Sequence, residues 1–250
     1  MTTANSPGAA LITGGTTGIG LATARVLHQQ GFAVLVTGHN PDTIAAAERA
    51  LPDDVVVLRA DARVLADAAR VADEIRALPS PLSVVFLNAG IHRMTPIEAV
   101  DEAMFDDIFA VNVKGQFFTL QKVLPLLGDG GSVIFNGALG ARKGLANWSV
   151  VSASKGALMA LVPSLAIELS ARRIRVNAVV PGPIRTPVFD KLWPEPDKMA
   201  AFTESMDEHV PLGRMGADED VANLVGFLAS PAASYITGAC LPIDGGAGVA

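Results

Sequence analysis

The feature that most constrains this chain is a repeated alternation. Seven short apolar runs lie at residues 9–13, 33–37, 55–59, 82–87, 132–136, 174–180 and 239–243. Each is continuous and rich in Val, Ile or Leu, the pattern of a strand buried on both faces. Between them, residues 19–30, 41–51, 64–78, 101–127, 149–171 and 218–229 carry apolar residues at helical spacing. Parallel neighbours in a sheet need long crossover connections, and those crossovers are right-handed. Strand–helix alternation from end to end therefore predicts an α/β fold of the Rossmann type. Its expected core is a doubly wound, seven-stranded parallel sheet with helices on both faces.

Nothing divides the alternation, so residues 1–250 are expected to form one domain. The exception to the pattern is an irregular stretch at about residues 187–216. It holds Trp193, Pro194, Pro196, Met199, Phe202, Met206, Pro211 and Met215. A Pro-punctuated apolar insertion of this kind is expected to be a substrate lid, or else a surface excursion with a small core of its own. The net charge of −6 and the absence of a basic run point away from nucleic acid and anionic membranes, and towards a small-molecule substrate. No uninterrupted apolar run of about 18 residues predicts a membrane span, and the first residues lack the pattern of a signal peptide. The single cysteine, Cys240, fits a reducing cytoplasm. His28, His39, His92 and His209 show no metal-ligand spacing, so no metal is expected.

Directly after the first run, Gly14, Gly18 and Gly20 stand in Thr13-Gly14-Gly15-Thr16-Thr17-Gly18-Ile19-Gly20, and a helical stretch opens on the same residues. Glycines let backbone turn sharply and approach a pyrophosphate, and the following helix N-terminus supplies free N–H donors. This spacing is similar to the fingerprint of the short-chain dehydrogenase/reductase family. Further marks follow in order: Asp61 after the third run, Asn88-Ala89-Gly90 after the fourth, Asn112 in Val111-Asn112-Val113-Lys114-Gly115, and Pro181-Gly182-Pro183-Ile184-Arg185-Thr186 after the sixth. Tyr235-Ile236-Thr237-Gly238 and Asp244-Gly245-Gly246 resemble the family's C-terminal pattern. The resemblance runs from about residue 9 to 246. It implies a nicotinamide dinucleotide held by Gly14, Thr16, Thr17, Gly18, Ile19, Gly20, His39, Asp61, Ala62, Asn88, Ala89, Gly90, Lys155, Pro181, Gly182, Ile184 and Thr186. NAD-using members place an acid at the end of the second strand, where this chain has Gly38 followed by His39. Loss of that acid favours NADP(H) over NAD(H).

The same resemblance exposes a departure. Members use a tyrosine as acid or base, a lysine that favours its ionisation, a serine that binds the substrate oxygen and an asparagine that supports a water chain. Lys155 and Asn112 match. The tyrosine position, four residues before Lys155, holds Val151, and the serine position holds Ala138. Trp148 stands seven residues before the lysine, where some enoyl reductases carry the tyrosine, and the one tyrosine of the chain is Tyr235. His92, Arg93, Arg142, Lys143, Asn147, Ser149 and Ser152 are neighbours that could compensate. His92 is the first choice, because imidazole exchanges protons near pH 7; Lys155 acting through a water is the other route. Pro163 is expected to kink the helix beyond Lys155.

These expectations converge on an atypical NADP(H)-dependent oxidoreductase of a carbonyl or alcohol. The alternative is an NADP-binding pseudoenzyme acting as a partner subunit. The apolar surfaces of residues 101–127 and 149–171, too wide for one intramolecular face, predict a homodimer or homotetramer.

Overall fold

A computed structural model describes residues 7–187 and 196–250. Its centre is a seven-stranded, all-parallel sheet in the order β3-β2-β1-β4-β5-β6-β9. The strands are β1 (Ala9–Ile12), β2 (Ala33–Gly38), β3 (Val56–Arg59), β4 (Leu82–Leu87), β5 (Leu127–Asn136), β6 (Arg175–Pro181) and β9 (Cys240–Ile243). Every predicted run is a strand. β5 starts five residues early, because the glycine-rich Gly128–Gly131 segment lets the chain join Leu82 before the register shifts to Val84↔Ser132. The inner strands are buried over most of their length, β1 at every position; β3, at one edge, is half-buried and ends on exposed Arg59. An edge strand has one neighbour and therefore less cover.

Helices cover both faces. On one side lie α3 (Leu65–Ala77), α5 (Gln116–Val123) and α6 (Ser149–Glu168), which share a core with Leu11, Val85 and Phe135. On the other lie α1 (Gly18–Gln29), α2 (Pro41–Ala50) and α8 (Asp218–Ala229), around Ile12, Val36 and Phe86. Helix α8 approaches α1 closely because Gly226 has no side chain; a Cβ there would stand 2.8 Å from Val26 and Gln30. In α6, Leu158 and Val162 are completely buried against the sheet, each worth roughly 1.5–3 kcal/mol. Among the described residues α6 is the one helix long and apolar enough to span a membrane. Its buried stripe instead packs on β5 and β6 as a core helix does. Pro163 lies on its exposed side, and the helix runs on to Glu168 rather than breaking there.

The predicted helix over 101–127 is not one regular helix. It comprises α4 (Glu102–Phe109), a π-helical turn at Ala110–Gly115, α5 and a final 3-10 turn at Leu124–Leu126. The wider turn is centred on buried Asn112, whose side chain is committed elsewhere, as described below. At the root of the expected lid, β7 (Ile184–Arg185) pairs with β8 (Gly216–Ala217), and α7 (Pro196–His209) lies between them in the chain. Trp193 and Pro194 fall outside the described residues.

Candidate functional site

The order of the sheet creates the site. After β1 the chain leaves towards one face and after β4 towards the other, so a crevice opens at their carboxyl ends. The glycine turn sits there. Gly14 and Gly18 have φ of +62° and +50°, which side chains rarely adopt. At Gly20 a Cβ would come within 2.2 Å of the Gly14 carbonyl and 2.7 Å of the Asn88 amide, so only glycine lets α1 start this close to β4. Thr17, at the N-cap of α1, makes no side-chain cap. The first-turn N–H groups are thus left for an external acceptor, which is what a pyrophosphate supplies.

A polar lattice ties this turn to β4. The Thr13 hydroxyl accepts from the backbone N–H groups of Asn88 (2.9 Å) and Ala89 (3.0 Å) and donates to Gln116 Oε1. The Asn88 amide donates to the carbonyls of Thr13 and Gly14, and Gln116 donates to the Ala89 carbonyl. Asn136 Nδ2 donates to Asn88 Oδ1 at 2.8 Å, while its own Oδ1 is buried without a partner. Thr13, Gln116 and Asn136 escaped the sequence reading. Asn136 alone gave a signal, as the residue two before Ala138. These three hold the predicted Asn88-Ala89-Gly90 turn against Gly14.

The remaining cofactor candidates assemble around that crevice unevenly. The Ile184–Thr186 segment comes over the glycine turn: a Cβ on Gly18 would meet Thr186 at 3.4 Å. Pro181 ends β6 and Gly182 packs against Asp244, so that loop is fixed at its root. Gly38 lies under Thr16, and a Cβ there would stand 2.5 Å from the Thr16 methyl. Thr16 in turn meets the Thr43 hydroxyl at 3.1 Å. His39 and Thr17 are exposed. The Ala62 carbonyl is pressed against Gly115, a backbone contact at the base of the π turn. Asp61 is less free than expected. Its carboxylate accepts from the Arg63 backbone (2.9 Å) and guanidinium (3.2 Å), and Arg63 also pairs with Asp107, which Arg93 joins. Arg93 therefore belongs to an ion-pair cluster rather than to the catalytic centre.

At the other end of the crevice Lys155 is almost completely buried. Its ammonium donates to the Asn136 carbonyl at 2.7 Å. Burial pulls its pKa down to about 8. Gly90 makes room for it: a Cβ there would lie 3.2 Å from Lys155 Nζ and 3.3 Å from Asn112 Oδ1. Asn112 grips the peptide of Ile91 from both sides, accepting its N–H at 2.8 Å and donating to its carbonyl at 3.1 Å, and donates also to Ser154 Oγ. Asn112 and Lys155 are thus brought together with Gly90, as the motifs implied.

The neighbours of Val151 do not all serve the site. Val151 is 1% exposed, an apolar surface where the resemblance implies a phenol. Ala138 is half-buried at the start of a 3-10 turn. Ser152 Oγ lies beside Gly140. Arg142 donates to the Cys240 carbonyl, and Lys143 to those of Ala247 and Ala250, so both brace the C-terminal segment. Tyr235 is fully exposed after α8. His92 lies close enough to Lys155 to feel its charge. Burial, and then the Lys155 charge, hold its pKa down to about 3. A pKa lowered in this way disfavours the imidazolium near pH 7, where the ring offers one N–H donor and one acceptor.

Residues 14–248 match a family model described as enoyl-(acyl carrier protein) reductase. The chain is 34% identical to elsinochrome reductase 1 of Elsinoe fawcettii, over 95% of this chain and 93% of that one. It is 32% identical to the tetrahydroxynaphthalene reductase of Pyricularia oryzae, over 95% and 88%. Among solved structures, a short-chain dehydrogenase/reductase of Brucella melitensis, titled glucose/ribitol dehydrogenase, superposes with a TM-score of 0.90 at 27% identity, over 97% of both chains. The crevice at β1 and β4, the glycine turn and these likenesses together place the chain in the short-chain dehydrogenase/reductase family.

Proposed function

We propose that this protein is an atypical NADP(H)-dependent oxidoreductase that interconverts a carbonyl and an alcohol on a small molecule without a tyrosine acid. The observation that carries the reading is the buried Lys155, held with Asn112 and Gly90 at the mouth of the nucleotide crevice. The family binds NAD(P)(H), and the named relatives are reductases. Bound reduced nicotinamide supplies a hydride. The chain's residues do the rest. The first turn of α1 binds pyrophosphate, the Ile184–Thr186 loop covers the nicotinamide end, and Lys155 holds the nicotinamide ribose. In the direction of reduction the substrate oxygen gains one proton. With Val151 apolar, that proton comes through a water hydrogen-bonded to the Lys155 ammonium, which at pKa about 8 is mostly charged at pH 7. Positioning alone accelerates hydride transfer strongly, so losing the phenol slows the chemistry without removing it.

Gly38 supports the preference for NADP(H). Thr16 occupies the volume a carboxylate would need, so nothing there repels a 2′-phosphate. The assembly read with this function is a homodimer or homotetramer in the cytoplasm. The groove between α4–α5 and α6, lined by Phe109, Val113, Phe117 and Leu161, supports it.

The test is a titration of both nucleotides followed by turnover of a broad ketone panel with NADPH. Tighter NADPH binding with turnover is expected. NADPH binding without any turnover favours the second reading, a pseudoenzyme acting as a partner subunit, whose supporting observation is the filled apolar surface of Val151.

A further inference from the structure

Two aromatic rings meet at the mouth of the crevice. The His92 and Trp148 ring centroids are 5.6 Å apart, with planes tilted by 53°. A tilt of that size makes a wedge rather than a closed stack. Both residues are half-buried, so solvent reaches the wedge.

Their placement follows from the chain. Trp148 caps the N-terminus of α6, three residues before Val151 and seven before Lys155. At 100° per residue, positions 148 and 155 fall within about 20° of each other on the helix, with position 151 beside them. Trp148 therefore stands two turns above Lys155 on the same stripe, with apolar Val151 between. His92 reaches the same place from the turn after β4, close enough to feel the Lys155 charge.

The backbone that carries the two rings is held. Asn112 fixes the Ile91 peptide just before His92. The two segments are joined by a backbone bond from Thr95 N–H to the Asn147 carbonyl at 2.8 Å, with Asn147 in the left-handed region at φ +65°. A strained residue kept beside a site marks a geometry that the surroundings over-determine. Among the described residues neither the His92 ring nor the Trp148 indole N–H makes a hydrogen bond, so both polar groups of the wedge are open to a ligand. Exposed Leu145, whose carbonyl accepts from the Trp148 backbone N–H, continues the apolar rim.

A largely aromatic wall whose imidazole and indole N–H are both unpaired suits a flat ring that carries an oxygen. An aliphatic ketone would leave the faces of the wedge unmatched. A rigid hydroxylated ring fills it at little entropic cost and gives the imidazole a partner. We propose that His92 and Trp148 form a binding wall for a planar, hydroxylated aromatic substrate, the ring lying against the indole and an oxygen meeting the imidazole. The inference deepens the reductase reading and rests on it for the reacting carbon lying towards Lys155.

Binding, measured by calorimetry on the NADP-loaded protein, tests the wall without any turnover. The probes are 2-naphthol, naphthalene and the saturated 2-decalol. The wall predicts 2-naphthol about two- to tenfold tighter than 2-decalol, the scale of an aromatic contact. Trp148→Ala should erase that preference while Trp148→Phe keeps most of it. His92→Phe should weaken 2-naphthol and leave naphthalene unchanged. Equal binding of 2-naphthol and 2-decalol by the unaltered protein overturns the proposal, and this comparison stands even if a variant does not fold. A preference that survives Trp148→Ala overturns it too, and leaves the ring pair as loop packing. A parallel arm measures NADPH oxidation with 2-tetralone and cyclohexanone. Aromatic preference with no turnover of either ketone keeps the wall and removes the reductase reading. Turnover without aromatic preference does the reverse.

Discussion

The two ends of the crevice obey different constraints. At the nucleotide end, backbone contacts decide which residues are allowed. Gly14, Gly18 and Gly20 are required by φ or by approach distances under 3 Å, and Thr13, Asn88 and Gln116 spend their hydrogen bonds holding that backbone. At the chemical end only Lys155 and Asn112 are held so tightly, and Val151, Ala138 and Trp148 are side-chain choices that the backbone leaves open. Geometry dictated by the main chain tolerates almost no substitution, whereas a site built from side chains can be rebuilt for another substrate. The nucleotide end should therefore fail abruptly under mutation, and the chemical end should change by degrees.

The harshest test of that contrast is Gly20→Val. Its Cβ alone would overlap the Gly14 carbonyl at 2.2 Å. Expected is loss of nucleotide affinity by more than about 100-fold, with destabilisation of roughly 1–3 kcal/mol. Calorimetric titration beside a denaturant melt reads both. Affinity within tenfold of the parent would break the contrast at once.

Next comes Lys155→Met. Removal of a proton-supplying group costs typically ~10²–10⁴ in rate, and the lower part of that range is expected for a relay that lacks a phenol. The pH profile is the sharper reading. With a pKa of about 8, reduction should fall as pH rises through 8, as the ammonium loses its proton, and the limb should vanish in Lys155→Met. Reduction should show no limb near 6.5, because His92 is already neutral there. The same shift has a stability sign. The folded pKa lies below the unfolded one, so between about 8 and 10.5 the unfolded chain binds more protons. Raising the pH through that window removes the penalty of charging a buried amine and raises the stability this group contributes.

A gentler probe rebuilds the chemical end. Val151→Tyr with Ala138→Ser should raise reduction of an activated ketone by about tenfold or more, and by more than the product of the two single effects, since cooperating groups act non-additively. The single change Val151→Tyr should gain little, because Ala138 offers no hydrogen bond. Burial of Val151 sharpens the expectation: a phenol must displace neighbours or turn towards the crevice. If the parent outperforms all three variants under steady-state assay with NADPH, the apolar surface is part of the substrate pocket.

The same contrast governs what could be read from the sequence. Strand and helix positions were legible because burial on both faces leaves continuous apolar runs, and 82–87 and 218–229 coincide with β4 and α8 to the residue. The glycine turn was legible because glycine marks backbone geometry directly. The π turn at Asn112 was not, since helical spacing on either side of it is unchanged and only the grip on Ile91 reveals it. Thr13 and Gln116 look like ordinary strand-end and helix residues, 103 positions apart until the fold joins them. His92 was legible only as an imidazole, because the causes that lower its pKa, burial and Lys155, are tertiary facts. The Arg142 and Lys143 cations likewise found carbonyl partners on the C-terminal segment that no local pattern announces.

The smallest expected effect concerns cofactor choice, where the two kinds of constraint meet. Gly38→Asp alone would place its Cβ 2.5 Å from the Thr16 methyl and 2.7 Å from its hydroxyl, so it should weaken both nucleotides through local distortion. Thr16→Ala removes those two atoms. The remaining Thr16 Cβ, at 3.2 Å, can yield by a few tenths of an ångström. The cost is the contact with the Thr43 hydroxyl, while Asn40 still caps α2 through the N–H groups of Asp42 and Thr43. In the double variant Thr16→Ala/Gly38→Asp a carboxylate can stand at the end of β2 and accept from ribose hydroxyls, and it repels a 2′-phosphate. Exposed charge interactions are worth roughly 0.2–1 kcal/mol, so the ratio of NADPH to NADH affinity should move towards NADH by at most about fivefold. The shift should shrink at high salt, as a screened interaction does. An unmoved ratio would show that the preference is set elsewhere, with exposed His39 the next residue to change. A change well beyond tenfold would show that Thr16 itself contacts the phosphate, a backbone-dictated role in place of the steric one argued from Gly38.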